Sequence, residues 1–358
     1  MRPGCTLEKS IVILCLISIL YGCVPRRESD YRMPVFEQEL AIEPVQLCEL
    51  SEYNYIHSIS VCGDYLVMVA YNLRTEQYLH LVDKKTGEII RSTGSRGRGP
   101  GELMGVPELS CDSGKIFLYD RVSRKTTVYD IEKLLLGLSS YIETIQENNP
   151  PLCSMLYGPG GKRLLIDNES YTKQDTITKP RIVLFNGAHI STYEQYPLED
   201  RRKTWFMYSS PDITVSPDFK KMAIAPTGAG GGAILERFDV TDRIRIRGID
   251  NMIPVDFEVE KGDMVETANS MYGFNNLTST ERRIYGGMVD PGISLKEIRE
   301  KKGYIFPYVV EFDWNGKAIR RFRLHYNVEN LAVEKDGSVL YIVYGDKNRN
   351  NYLGRIAL

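Results

Sequence analysis

Glycine, arginine and glutamate crowd one stretch of the chain, Gly94-Ser95-Arg96-Gly97-Arg98-Gly99-Pro100-Gly101-Glu102. Glycine amides with flanking cations could cradle a phosphate. That chemistry, however, needs Gly-x-x-x-x-Gly-Lys-Ser/Thr at the opening of a helix. The lysine and hydroxyl are missing here, and Pro107 and a strand-like segment follow. The stretch therefore reads as a tight crossing loop whose Arg96, Arg98 and Glu102 could face a ligand. A second glycine run, Gly228-Ala229-Gly230-Gly231-Gly232-Ala233, formally fits the dinucleotide fingerprint. The fingerprint must open a helix, whereas Phe238, Val240, Ile244 and Ile246 alternate as in a strand. A hairpin connection is the better reading. His57, His80, His189 and His325 are scattered, and neither His-Glu-x-x-His nor Gly-x-Ser-x-Gly occurs. Glu108, Asp212 and Glu329 lie at or near the starts of strand-like segments. If the fold brought them together, they could hold calcium or support a hydrolysis. No catalytic residue, metal ligand or cofactor is assigned from the sequence.

These residues must be positioned by a repeated β unit. Tyr78–Asp83 forms an apolar strand, Lys84-Lys85-Thr86-Gly87 a turn and Glu88–Thr93 a second strand. The same strand type recurs at Lys125–Asp130, Arg181–Asn186, Ile234–Asp239, Tyr308–Asp313 and Tyr352–Ala357. A second recurring element precedes each copy, as in Ile59–Val67, Leu109–Phe117 and Leu331–Tyr341. Together they give four strands per repeat, starting near Ile56, Val106, Ser154, Pro211, Ser270 and Val328. A mostly β unit repeating every fifty or so residues predicts a closed ring of small sheets, an all-β six-bladed β-propeller. The sixth repeat has only three strands, and the lone segment Phe36–Leu50 is the natural fourth, closing the ring by pairing the termini. Short helical insertions are predicted after Asp130 and over Ser294–Gly303.

In such a ring the loops leading into the inner strands gather at one mouth. They bring His57, Arg96, Arg98, Glu102, Tyr208, Asn269, Tyr272 and Asn327 together as candidate ligand-binding residues. This mixture of aromatic, amide and charged groups suits a polar ligand. Tyr55, Tyr208, Tyr272 and Tyr326 also lie close to inner-strand starts, where they crowd the mouth or stack between blades.

The N-terminus reads as a targeting segment. Arg2 and Lys9 precede an apolar run, Ile11–Leu20, that ends at Leu20-Tyr21-Gly22-Cys23. The run is too short to span a bilayer, and its ending matches a lipoprotein processing site at Cys23. Residues 1–22 are then the signal peptide, 23–35 a lipidated tether and 36–358 the propeller. The net charge is only −2, which argues against a nucleic-acid partner. Cys48, Cys62 and Cys153 follow apolar residues and read as small buried thiols. Cys62 and Cys111 occupy the same place in successive repeats, so a bond between them is conceivable.

The run Gly97-Arg98-Gly99-Pro100-Gly101-Glu102, the processing site and the six-fold repeat resemble the TolB-like six-bladed β-propeller lipoproteins of Gram-negative bacteria. The resemblance implies a propeller fold and a cell-envelope location, and it carries no catalytic assignment. The function expected is recognition of a glycan, small molecule or envelope protein by a protein held to the membrane through its lipid. The rival is a propeller hydrolase or lactonase-like enzyme with a metal in its pore. Lipidation has a direct test. Cys23→Ala should move the protein from the membrane fraction to the soluble one, and a variant still sedimenting with membranes in high salt would refute the anchor.

Overall fold

The structure is a computed structural model. It describes residues 34–138, 141–146, 154–167, 181–186, 189–193, 212–225, 233–240, 244–253, 257–260, 263–267, 273–290, 297, 300, 305–348 and 350–358. Six sheets hold consecutive strands in antiparallel order. Blade one is Tyr53–Cys62, Tyr65–Asn72, Leu79–Asp83 and Ile89–Thr93. Blade two begins at Pro107–Asp112, blade three at Ser154–Tyr157, blade four at Asp212–Val215, blade five at Phe274–Ser279 and blade six at Asn327–Val333. These first strands are the inner ones; those of blades one and two, two and three, four and five, five and six, and six and one pack directly on each other around a central axis. Blades three and four also meet at Gly158, where a Cβ would sit 2.3 Å from the Phe219 ring.

The second strand of each blade is a nearly unbroken apolar run because both its faces are covered. Leu66, Met68 and Ala70 of blade one pack with Tyr341, Val343 and Leu353 of blade six. Val67 and Val69 pack with Ile116 and Leu118 of blade two. Alternation between a wet and a dry face is lost where each sheet lies between two others. The turn closing blade one's outer hairpin needs Gly87, at φ 78°, where a Cβ would also meet that of Leu47 at 2.8 Å.

Closure differs in one respect from the sequence expectation. Phe36–Leu50 is not one strand. Val45–Glu49 pairs antiparallel with Asn351–Ala357, completing blade six as expected. Gln38–Ala41 instead lies parallel to Ala318–Arg323, adding a fifth strand to blade five. The break falls at residues 42–44, where Pro44 lacks an amide to continue a ladder. Ion pairs of Glu37 with Lys317 and of Glu39 with Arg321 hold the added strand in place.

The buried-thiol reading fails for Cys62. It is bonded to Cys111, with Cα atoms 5.8 Å apart, across the ends of two neighbouring inner strands. For a sequence separation of 49, loop-entropy arguments give such a bond a stabilisation of about 4 kcal/mol. Cys48 is free and half-buried, while Cys153 lies outside the described residues. The helix expected after Asp130 is present as Ile131–Leu135, capped by the Asp130 carboxylate accepting from Lys133 N at 3.1 Å. Most of the Ser294–Gly303 segment lies outside the described residues. A hairpin without a counterpart in the repeat pattern, Phe257–Glu260 with Asp263–Glu266, sits between blades four and five. No helix among the described residues is long and apolar enough to cross a membrane.

Deleting residues 38–49 uncovers the edge strands of blades five and six together. The whole ring should then melt in one transition well below the parent, and calorimetry showing an unchanged midpoint would refute closure through the N-terminal strands.

Candidate functional site

The inner strands of neighbouring blades share no backbone ladder; side chains join them around the axis. The disulfide joins blades one and two. Ser110 Oγ accepts from Tyr157 N at 3.0 Å and Ser154 Oγ donates to Glu108 at 3.1 Å, joining two and three. Asp212 accepts from Asn276 N at 2.9 Å, and the Thr214 and Ser279 hydroxyls meet at 2.9 Å, joining four and five. The Asn276 side-chain amide donates to the Glu329 carbonyl, joining five and six. Asn330 Nδ2 donates to the Ile56 carbonyl at 2.8 Å, joining six and one.

These strands enclose a channel with a cavity of about 760 Å³. His57, Glu108, Asp212, Asn276 and Asn330 line one end of it, followed by a band of serine and threonine hydroxyls. The other end opens between the inner hairpin turns, at Gly63-Asp64, Pro159 and Pro217. Burial holds the His57 imidazole below its usual range, favouring the neutral ring. Glu108 also lies 3.9 Å from Arg121 Nε. The wall thus offers hydroxyl, amide, imidazole and carboxylate groups, able to accept and donate several hydrogen bonds to one polar molecule.

The carboxylate cluster considered from sequence does not assemble among the described residues. Glu108 and Asp212 line the cavity, but Glu329 is not part of its wall. A Cβ on Gly345 would lie 3.0 Å from Glu329 Oε1, and burial raises that carboxyl. No three histidine, cysteine, aspartate or glutamate side chains come together as a metal site among the described residues.

Of the eight ligand-binding candidates, His57 reaches the cavity. Asn327 instead accepts the Phe306 amide at 3.0 Å, fixing the chain that enters blade six. The glycine-rich loop is a crossing, as expected, and it is clasped from below. The Tyr78 and Tyr129 hydroxyls donate to the Gly101 carbonyl at 2.9 and 3.1 Å, and Lys125 donates to Gly99 O at 3.0 Å. Glu102 turns onto its own loop, accepting from Gly99 N at 2.7 Å. Arg96 and Arg98 remain exposed on the rim and do not line the channel. Tyr208, Asn269 and Tyr272 lie outside the described residues, as does Cys23. Tyr326 packs within blade six, its ring tilted against that of Tyr344 with centroids 4.7 Å apart. The sequence reading missed Asn276 and Asn330. Their signal was a polar residue inside an otherwise apolar inner strand, clearest in Asn330-Leu331-Ala332-Val333.

Six radial sheets around a polar channel define a six-bladed β-propeller. The chain belongs to the TolB-like 6-blade propeller-like family, whose model matches residues 47–336. Among solved structures it is similar to an exported protein from Bacteroides fragilis, at 10% identity and TM-score 0.51, covering 90% of this chain and 99% of that one. It is also similar to a luciferin-regenerating enzyme, at 11% identity and TM-score 0.49, covering 88% and 94% of the two chains. A third is Kuenenia stuttgartiensis hydrazine synthase, at 14% identity and TM-score 0.45, covering 84% and 78%. At 10% identity the likeness to the exported protein shows the fold alone. No curated protein matches the sequence.

Asn330 is nearly fully buried, and its amide is a bond across the seam between the last and first blades. Asn330→Ala leaves the Ile56 carbonyl without that donor and should lower stability by about 1–3 kcal/mol. Urea denaturation reads this directly; an unchanged midpoint would show that the amide does not hold the seam.

Proposed function

We propose that this protein is a lipid-anchored propeller of the cell envelope that binds a small polar molecule or glycan in its central channel. The observation that carries the reading is the 760 Å³ cavity, a size suited to a small ligand. Its wall of hydroxyls, amides and carboxylates favours a ligand rich in hydroxyl or amine groups. The signal-like N-terminus, the processing site at Cys23, the family and the likeness to an exported protein support the envelope location. The near-neutral net charge of −2 argues against nucleic acid. The role is recognition, with no catalytic step and no cofactor assigned.

Thermal-shift screening of the purified protein against monosaccharides, oligosaccharides, amino acids and polyamines tests the reading. A compound that raises the midpoint should bind about tenfold or more weakly to Asp212→Asn and Glu108→Gln, the loss of one charge-assisted hydrogen bond each. Asp212→Asn keeps an oxygen for the Asn276 amide, so its own melting should change little. Ligands that bind both variants as tightly as the parent would place recognition outside the channel.

A further inference from the structure

The rim of blades one and two carries a surface that the channel does not use. Ten large apolar side chains stand exposed among the described residues, and four gather here: Tyr55, Leu73, Val106 and Val122. Their exposures are 60, 59, 45 and 59%. Leu73 N donates to Glu52 O at 3.3 Å, placing that turn beside the start of blade one's inner strand. A Cβ on Gly105 would lie 2.7 Å from Val122 Cγ2, placing Val106 and Val122 side by side on blade two. The disulfide sets the two inner strands level, so both starts rise to the same rim.

Arginines border these apolar groups. Arg74, Arg96, Arg98 and Arg124 are exposed and Arg121 is partly so. The one lysine of this sector, Lys125, is buried and donates to Gly99 O. Of the nearby acids, Glu52 pairs with Arg74, Glu108 lies 3.9 Å from Arg121 Nε, Asp120 accepts from Met104 and Val122 amides, Glu102 folds onto its loop, and Glu76 stands exposed on the Leu73 turn. With Arg74 and Arg121 paired, the positive part of the rim is the blade-two side, where Arg96, Arg98 and Arg124 stand exposed on a chain whose net charge is −2. Its turns are held by side chains, with Asn72 Oδ1 accepting from Arg74 N and Thr75 N at 2.9 and 3.0 Å.

We infer that this rim docks an acidic segment of another protein, one whose carboxylates alternate with apolar side chains. Arginine and tyrosine beside exposed aliphatic side chains, without exposed lysine, is the composition of a protein-contact surface. The guanidinium fork matches carboxylate geometry where an ammonium does not. Stiff turns present these groups in fixed positions and lower the entropic cost of docking. An anionic membrane would be met better by flexible lysines with inserted tryptophan or phenylalanine, which this sector lacks.

Fluorescence anisotropy with a labelled peptide alternating glutamate or aspartate with leucine and phenylalanine provides the test. The purified protein should bind it, and should ignore the same peptide with lysine at the acidic positions. The double variant R96E/R98E should weaken binding tenfold or more, V122S severalfold, and D212N not at all. Each variant is checked for an unchanged melting midpoint. No binding, equal binding of the lysine peptide, or full retention in R96E/R98E would overturn the inference. So would tighter binding to phosphatidylglycerol vesicles, or sedimentation showing that a second copy of this chain covers the rim.

Discussion

A ring of sheets must close without any backbone ladder running around it. Each blade satisfies its own amides and carbonyls internally, so neighbouring inner strands are left to be joined by packing and by side chains. That constraint accounts for most of what is unusual on the inner strands. Ser110, Thr214, Ser279, Asn276 and Asn330 are polar where an apolar residue would pack as well, and each spans a gap between blades. The disulfide does the same work covalently at the one seam between blades one and two. At the seam between blades three and four the contact is one of close approach, because Gly158 lets the Phe219 ring reach the neighbouring backbone.

The same residues that close the ring also furnish the cavity wall. Asp212, Asn276 and Asn330 each commit at least one polar atom to a neighbouring blade and sit at the channel surface. Ring closure and the cavity wall therefore share side chains here, which limits how freely the channel could be remodelled. The rim is different. Arg96, Arg98, Val106 and Val122 stand on loops whose conformation is fixed by Asp120, Tyr78 and Lys125 beneath them. Substitutions on the rim leave those supports untouched.

The architecture was legible because β-strand patterning and turn chemistry repeat. Six copies of one strand type and the turn glycines located the blades before any coordinates. The channel wall was less legible, since a polar side chain that bridges two blades is recognised only once its partner in another repeat is known. Ser110 meets Tyr157 and Asn330 meets Ile56. Glu102 illustrates the opposite error. Its charge and glycine-rich setting suggested a ligand, while the short range of the turn let its carboxylate satisfy the loop's own amide. The split of the N-terminal strand was signalled by Pro44 alone, and nothing in the periodicity indicated that its first half would join blade five.

That split has a mechanical consequence. Any pull on the chain ahead of residue 38 reaches the outer edge of blade five first, through Gln38–Ala41. Only after those rungs and the Glu37 and Glu39 ion pairs give way does the load pass to Val45–Glu49, the strand that completes blade six. The added strand is in effect a strain relief, keeping tension on the preceding chain away from the seam that holds the ring shut.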